Sequence, residues 1–311
     1  MKLSGLSVDV DSVASHLEGY GFERGADDGA AYRIAIPRAL QIFESFGARA
    51  TFFLIAEEAA AHPARVREIV ARGHEVASHS MTHELPFSNL TPARAEREID
   101  DSRRMLAALA GEDIIGFRAP SWDTDPALLT RLAAAGYRYD ASAYPSILLP
   151  LLRRSIAARA ETGDVRTGSA LWNGVFGPTT PYTVQTDDGE IWEIPLATTP
   201  FARLPHYHTM RFVLPKAAFG FIAVWTRTRR APITYQFHAA DFLATTEDGL
   251  DPRISRHPGM ELSLGRKLRL AEECTRSLAR VRRVVPLREV VEALEHTRRG
   301  GEADRRQSRQ T

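Results

Sequence analysis

The chain has 311 residues, of which 44% are hydrophobic and 25% are charged, and its formal net charge is +1. These values are typical of a globular protein that can form one large α/β domain. The balanced charge argues against nucleic acid as the main partner. The single cysteine, Cys274, excludes an internal disulfide and a cysteine-rich zinc site, so a bound metal would need histidine and carboxylate ligands.

The N-terminal residues MKLSGLSVDV contain no apolar stretch long enough for a secretory signal, and we therefore expect a cytoplasmic protein. The longest apolar run, FVLPKAAFGFIAVW over 212–225, is shorter than the roughly 20 residues that span a bilayer. With the basic TRTRR that follows, this run has the composition of a membrane-touching segment. A core helix with a solvated end is the favoured interpretation, so membrane contact is not predicted.

Strands and helices alternate along the first half of the chain, which begins with the apolar strand LSVDV over 6–10 and a glycine-rich, acidic loop over 19–32. Aromatic and β-branched residues predict further strands over 48–57, 74–80, 114–122 and 137–145. Helical spacing and capping residues predict helices over 37–46, 63–72, 91–109 and 125–136. This alternation predicts parallel strands joined by crossover helices, with the polar residues of the strand ends gathered at one face.

The second half of the chain has a weaker pattern, and 148–185 is predicted to be mostly loop with one amphipathic stretch. Later strands are predicted over 190–196 and 233–238, and helices over 262–282 and 288–298 with the short strand RVVPL between them. We expect a single domain over residues 1–298 and a disordered polar tail over 299–311.

Two acidic residues, Asp9 and Asp11, lie two positions apart at the end of the first predicted strand, so they point to the same side. This pair alone leaves three interpretations open. It is a solvated strand end with an Asx turn at Asp11 and Ser12, a metal-binding carboxylate pair, or the aspartyl nucleophile of a phosphohydrolase.

A second group, His79 and His83, follows another apolar strand at a spacing of four. If the chain turns helically after His79, both imidazoles lie on one face, which suits a divalent metal. Histidines at a strand end are more often surface or capping residues. Here Arg118 ends the predicted fourth strand and His238 ends a late strand, and this combination favours a metal site.

Together these motifs resemble the polysaccharide deacetylase family, also called the NodB-homology or family 4 carbohydrate esterases, over about residues 3–295. That family has an acid pair on strand one, then H-[ST]-x-x-H, then R-x-P, and a histidine that closes a late strand. The corresponding stretches here are Asp9-Val10-Asp11, His79-Ser80-Met81-Thr82-His83, Arg118-Ala119-Pro120 and Tyr235-Gln236-Phe237-His238. The spaced D-x-D pair is similar to one branch of the family. The resemblance implies a distorted (β/α) barrel with parallel strands and outer helices.

The resemblance also implies a role for each motif residue. It places Asp11, His79 and His83 on a divalent metal, with zinc expected first and Co²⁺, Mn²⁺, Ni²⁺ and Fe²⁺ as alternatives. It assigns Asp9 as the general base, His238 as the general acid and Arg118 as the cation that holds Asp9 ionised. Substrate binding, including a backbone N–H near Ser121, is assigned to Ser121, Trp122 and Tyr235.

This sequence departs from the family pattern at several positions. Ser121 and Trp122 stand where many members have an aromatic residue directly after the proline, and Tyr235 stands where a leucine usually lines the acyl pocket. The usual D-x-x-D-W segment is missing, which leaves Asp140 and Asp241 as candidates to orient His238. His206 and His208 are the next candidates for the general acid, although the favoured interpretation is that both belong to a loop segment. His74 is expected to begin a strand and not to bind metal.

The function implied is a metal-dependent hydrolase that removes an N-acetyl or N-formyl group from an aminosugar, whether lipid-linked, nucleotide-linked or part of a glycan. One alternative is a catalytically inactive carbohydrate-binding module on the same fold, but such a module would be expected to lack a ligand or Asp9. A remote alternative is an aspartyl phosphohydrolase, which needs a suitably placed lysine. The sequence has lysine only at positions 2, 216 and 267.

Overall fold

The computed structural model describes residues 2–23, 25, 29–149 and 175–307. Nine strands form one sheet: β1 (Leu3–Val10), β2 (Thr51–Leu54), β3 (Glu75–Ser78), β4 (Gly116–Phe117), β5 (Tyr139–Asp140), β6 (Tyr182–Thr186), β7 (Gly189–Glu193), β8 (Ile233–His238) and β9 (Arg283–Val285). The described helices are α1 (Val13–Gly19), α2 (Ile36–Glu44), α3 (Ala56–Ala60), α4 (Pro63–Ala71), α5 (Pro92–Glu96), α6 (Ser102–Ala110), α7 (Pro126–Ala134), α8 (Met210–Val213), α9 (Lys216–Thr228), α10 (Leu264–Ala279) and α11 (Leu287–Gln307). A π-helical turn precedes α2 (Ala31–Ala35), and another joins α5 to α6 (Arg97–Asp101).

The sheet is parallel except at one edge. Its strand order is β6-β7-β5-β4-β3-β2-β1-β8, and β9 also pairs with β1. Among the strands of the described residues, only the hairpin of β6 and β7 is antiparallel. The segment that follows β7 contacts both the chain after β5 and strand β8, because the Leu196 amide donates to the Ala143 carbonyl and the Thr234 hydroxyl donates to the Pro195 carbonyl. This segment bridges the gap between β7 and β8, and the expected distorted barrel with parallel strands and outer helices is confirmed.

Strand alternation divides the core into two layers. Leu6, Val8 and Val10 of β1 belong to the large cluster shared with the outer helices. A smaller cluster inside the barrel includes Phe53 and Tyr139, and residues of α11 complete it at its base.

The close approach of α11 to the barrel depends on a glycine in β1. A Cβ atom added at Gly5 would lie 2.4 Å from Cδ2 of Leu287, so a larger residue there would push α11 outwards. Successive side chains of β1 point to opposite faces of the strand, so Asp9 lies on the side opposite Val8 and Val10.

Several predicted boundaries differ from the structure. β8 matches the predicted 233–238 strand, whereas β2, β4 and β5 are shorter than predicted. The helix α1 was not predicted, and neither was β6, which occupies the end of the stretch expected to be loop. The predicted amphipathic stretch lies outside the described residues between 150 and 174.

Residues 299–307 are helical where the sequence predicted disorder. α11 continues through Gln307, so the expectation of a disordered tail from residue 299 was wrong for 299–307. The reason is that extending a helix already docked on the barrel costs far less than nucleating one, so a polar composition does not end it. Within the described part of the chain, no helix is both long and apolar enough to cross a membrane.

Candidate metal and catalytic site

The candidate site lies at the carboxyl ends of β1, β3 and β8. Asp9 occupies β1 and Asp11 follows that strand directly. The pairing of β1 with β8 sets Asp9 opposite His238, and β2 and β3 bring His79 to the same end of the barrel. The parallel register therefore gathers side chains that are far apart in the sequence.

Asp11, His79 and His83 form a compact cluster of possible metal ligands. Oδ1 of Asp11 lies 3.3 Å from Nε2 of His79 and 3.7 Å from Nε2 of His83, and one ligand atom from each of the three residues lies within 4.8 Å of the others. The chain does not turn helically after His79, which was the condition under which the spacing of four would place both rings on one face. Ser80 and His83 have φ values of 73° and 65°, and the Ser80 hydroxyl accepts a hydrogen bond from the His83 amide. A tight turn thus brings His83 to the cluster.

The three side chains fit a divalent cation. Among the described residues, Oδ1 of Asp11 is buried and accepts no hydrogen bond, which is a costly arrangement unless a cation binds there. Nδ1 of His79 lies 2.7 Å from the Arg118 carbonyl oxygen, a contact in which the ring nitrogen donates and Nε2 keeps its lone pair. One carboxylate and two imidazoles form a donor set that suits zinc and related metals.

The charge state of Asp11 supports this assignment. Burial alone would raise the pKa of Asp11, but the adjacent imidazoles of His79 and His83 hold it well below its usual value. Asp11 in turn raises the pKa of His79 against the opposing effect of burial. The cluster therefore presents an ionised carboxylate towards the two rings.

Asp9 is held by a separate set of contacts. Arg118, only 2% exposed, forms an ion pair with Oδ1 of Asp9 and donates from Nε to the Ala141 carbonyl at 2.9 Å. The guanidinium also lies 4.1 Å from the centre of the Phe53 ring. Nε2 of Gln236 donates to the other carboxylate oxygen, Oδ2, at 2.6 Å. Both oxygens of Asp9 are thus fixed by donors, and its carboxylate has a defined direction.

His238 lies beside Asp9. Its Nε2 is 3.9 Å from Oδ2 of Asp9, and its Nδ1 is 3.3 Å from the Thr209 hydroxyl. Of the two acids considered as orienting partners, Asp241 accepts a hydrogen bond from the His238 backbone amide, and Asp140 accepts one from the Ser142 hydroxyl. The ring itself contacts the Thr209 hydroxyl through Nδ1 and Nε2 of Gln236 through Nε2, each at 3.3 Å, and the sequence suggested neither partner.

Aromatic side chains form a wall next to His238. Trp122 donates from its indole N–H to Oε1 of Gln236 at 3.3 Å, and its ring centre lies 6.0 Å from that of His238. Tyr144 and Tyr207, which sequence reasoning missed, pack against Trp122 with centre distances of 5.1 and 5.8 Å. Ser121 and Trp122 both have positive φ values, 54° and 53°, which is the kind of backbone strain often found at functional sites.

The structure does not place Tyr235 in this site. β8 alternates its side chains, so Gln236 and His238 face Asp9 while Tyr235 points to the layer between sheet and helices. There the hydroxyl oxygen of Tyr235 lies 3.1 Å from Nδ1 of His208. The assignment of Tyr235 to substrate binding was therefore wrong, because period-two geometry gives that position to Gln236. His208 shares this outer layer and is not a candidate acid.

Two histidines that the sequence did not suggest lie next to the ligand cluster. Nε2 of His16, from α1, is 3.9 Å from Oδ2 of Asp11, and its ring centre is 4.6 Å from that of His257. Burial lowers the pKa of His16 to about 4, so this imidazole is neutral at pH 7. No motif signalled either residue, because α1 was not predicted and His257 lies between short helical turns.

The fold and the site define a distorted (β/α) barrel with a cluster of one carboxylate and two imidazoles at its carboxyl end that could hold a metal ion. The family model for polysaccharide deacetylase matches residues 26–139. A peptidoglycan deacetylase from Helicobacter pylori is 32% identical over 139 residues, which are 43% of this chain and 47% of the relative. A chitooligosaccharide deacetylase from Sinorhizobium fredii is 35% identical over 103 residues, 32% of this chain and 46% of the relative. The chain thus aligns with about half the length of the curated relatives it matches.

Solved structures extend the similarity of fold to nearly the whole chain. A Mycobacterium smegmatis protein assigned to the polysaccharide deacetylases superposes with a TM-score of 0.61 at 18% identity, over 95% of this chain and 91% of that one. Puue allantoinase superposes with a TM-score of 0.56 at 17% identity, over 93% and 89%. Residues 26–139 are therefore similar in sequence to the polysaccharide deacetylase family, and nearly the whole chain has the fold of these solved structures.

Proposed function

We propose that this protein is a metal-dependent hydrolase that removes an N-acyl group, acetyl first and formyl as the alternative, from an aminosugar. The observation that carries the proposal is the fixed carboxylate of Asp9 beside the cluster of Asp11, His79 and His83. The relatives named as peptidoglycan and chitooligosaccharide deacetylases support the same chemistry.

The cluster of Asp11, His79 and His83 would hold one divalent cation, with zinc expected first. A cation there would supply Lewis acidity towards the acyl carbonyl oxygen and towards water. The protein supplies the charge and direction of these ligands, since Asp11 is ionised and the ring of His79 is fixed by the Arg118 carbonyl.

Asp9 acts in this proposal as the general base that takes a proton from the attacking water. Arg118 and Gln236 keep the carboxylate in one orientation and balance its charge. His238 gives a proton to the departing nitrogen, and Thr209 positions its ring. The base and the acid lie on neighbouring strands, so one amide bond can contact both of them.

The substrate class is proposed from the site and the relatives together. The aromatic wall of Trp122, Tyr144 and Tyr207 offers flat apolar surfaces with polar edges, which suit the face of a sugar ring. A lipid-linked or nucleotide-linked aminosugar and a short glycan all present such a ring. The proposal therefore names the N-acylated aminosugar unit as the recognised element.

The proposal is tested with N-acetylated chitooligosaccharides and the purified full chain loaded with zinc. We expect release of acetate and a mass loss of one acetyl group per event, both abolished by a chelator and by Asp9→Asn. Binding of the oligosaccharide without acetate release would support the binding-module alternative instead. Mass spectrometry of lipid-linked and nucleotide-linked sugars from cells with and without the gene then identifies the natural aminosugar.

A further inference from the structure

The helix α9 has an apolar side that the described part of the chain leaves exposed. Its buried side holds Phe219 and Ile222, which are 5% and 1% exposed. On the other side Phe221, Val224 and Trp225 are 57%, 51% and 39% exposed. A core helix with a solvated end was the favoured interpretation of this stretch, but the exposed side of the helix is aromatic and aliphatic.

This surface continues onto a neighbouring loop. Phe201 is 88% exposed, and its ring centre lies 6.4 Å from that of Trp225. The Phe221 ring lies 6.1 Å from the same indole. We call Phe201, Phe221, Val224 and Trp225 the α9 apolar face. Exposed apolar residues that have no binding role are usually scattered singly over a protein surface. Four large apolar side chains in one exposed cluster therefore indicate a binding surface.

The segment that carries the α9 apolar face has an excess of positive charge, although Arg211 within it pairs with Glu273 of α10 at 3.6 Å. Between Ile194 and Ala240 the sequence contains no acidic residue and six basic ones, Arg203, Arg211, Lys216, Arg227, Arg229 and Arg230. Lys216 begins α9, and Arg230 lies just beyond its end; both are exposed. Lys2 lies near the same end of α9 as Arg230, since its Nζ is 3.4 Å from the Thr228 carbonyl oxygen. The chain as a whole is nearly neutral, so this is a local excess of positive charge.

An exposed aromatic face with cations at both ends of a helix is complementary to an anionic bilayer surface. Phenylalanine and tryptophan partition into the boundary between headgroups and acyl chains, while lysine and arginine contact lipid phosphates. Basic residues near such a surface are attracted to the anionic headgroups. α9 has 13 residues and is too short to span a bilayer, so it would lie in the plane of the surface.

We infer that the α9 apolar face docks this protein on the surface of an anionic phospholipid bilayer. Phe201, Phe221 and Trp225 enter the boundary region, and Lys2, Lys216 and Arg230 contact the phosphates. This inference does not depend on the hydrolytic activity, since it concerns a different surface and a different ligand.

The inference is tested by flotation of the full chain with vesicles of phosphatidylcholine and phosphatidylglycerol, compared with vesicles of phosphatidylcholine alone. We expect the protein to bind the anionic vesicles. Binding should be weaker by roughly tenfold or more on the neutral vesicles, or on the anionic vesicles in about 1 M salt. The double substitution Phe201→Ser and Phe221→Ser should lower the partition coefficient by about tenfold or more. Both positions are exposed, so the variant should keep the thermal stability of the parent.

A matched pair of single substitutions separates the face from general surface apolarity. Val224 and Val281 are 51% and 50% exposed, but Val281 lies outside the α9 apolar face. Val224→Ser should weaken vesicle binding, whereas Val281→Ser should leave it unchanged. The pair Lys216→Gln and Arg230→Gln should lower the salt dependence, and the pair Arg67→Gln and Arg104→Gln should not.

Three results would overturn the inference. The first is absence of binding to anionic vesicles by the folded parent protein. The second is equal loss of binding in Val224→Ser and Val281→Ser. The third is a concentration-dependent dimer that Phe221→Ser disrupts, without vesicle binding, which would assign the face to a second copy of this chain.

Discussion

Gln236 donates a 2.6 Å hydrogen bond from Nε2 to Oδ2 of Asp9, across the pairing of β8 with β1. Arg118 holds the other oxygen of the same carboxylate. The two donors approach Asp9 from different strands, so the direction of the carboxylate is set by the sheet itself. Under the proposed function, this arrangement positions the base for a water bound at the neighbouring cluster.

Gln236→Leu should therefore lower kcat by roughly tenfold and leave KM and metal content unchanged, because it frees one oxygen of the base without touching the ligands. The matched control is Tyr235→Phe on the opposite side of β8, which should keep the parental kcat. A change in KM alone would show that Gln236 binds substrate and does not position Asp9.

The two acids of the first motif should separate by function. Asp9→Asn should retain the metal and lose most turnover, because the amide cannot accept the proton. Asp11→Asn should lose metal affinity as well, since it removes the only carboxylate of the cluster. Metal content by elemental analysis and acetate release measure the two effects. The reverse pattern would show that base and ligand have been exchanged.

His79→Ala and His83→Ala should each abolish stoichiometric binding of zinc, because either change leaves two ligands. His62→Ala is the control, since His62 stacks on Tyr32 and is not part of the cluster. Isothermal titration with zinc and inductively coupled plasma analysis give the stoichiometry. Full occupancy in the double variant would rule out this cluster as the metal site.

Much of the fold and part of the site could be predicted from the sequence because the signals are local. A few consecutive residues are enough to recognise the periodicity of a strand or helix, a helix cap, or the pairs Asp9 with Asp11 and His79 with His83. The approach of Gln236 to Asp9 depends on the register of two distant strands, which no local pattern records. His16 and His257 also escaped prediction, because they meet only when α1 packs beside the late loop.

His74 allows a prediction about stability and pH. It is buried, its Nδ1 accepts a 3.0 Å hydrogen bond from the Ala50 amide, and burial lowers its pKa from 6.5 to about 4. The folded state thus prefers the neutral ring. The contribution of His74 to the free energy of unfolding is therefore fully present above pH 6.5. This contribution, about 3 kcal/mol, is lost as the pH falls towards 4.

We expect the free energy of unfolding in urea, measured between pH 7 and 4 with a chelator present, to fall less steeply in His74→Gln than in the parent. Glutamine can still accept from the Ala50 amide but does not take up a proton in this range. Parallel pH profiles for the two proteins would mean that His74 does not contribute to the acid dependence.

His238→Ala should keep the metal and lower kcat by roughly 100-fold or more, the usual effect of removing a positioned proton donor. The loss should be smaller for a substrate whose leaving amine is weakly basic, such as an activated anilide, because that amine can depart with less help from an acid. Thr209→Val should cause a smaller loss of the same kind, since it removes the hydroxyl that positions the ring through Nδ1. If His238→Ala impairs the anilide and the aminosugar amide equally, His238 binds substrate or supports the fold. In that case the proton must come from another group.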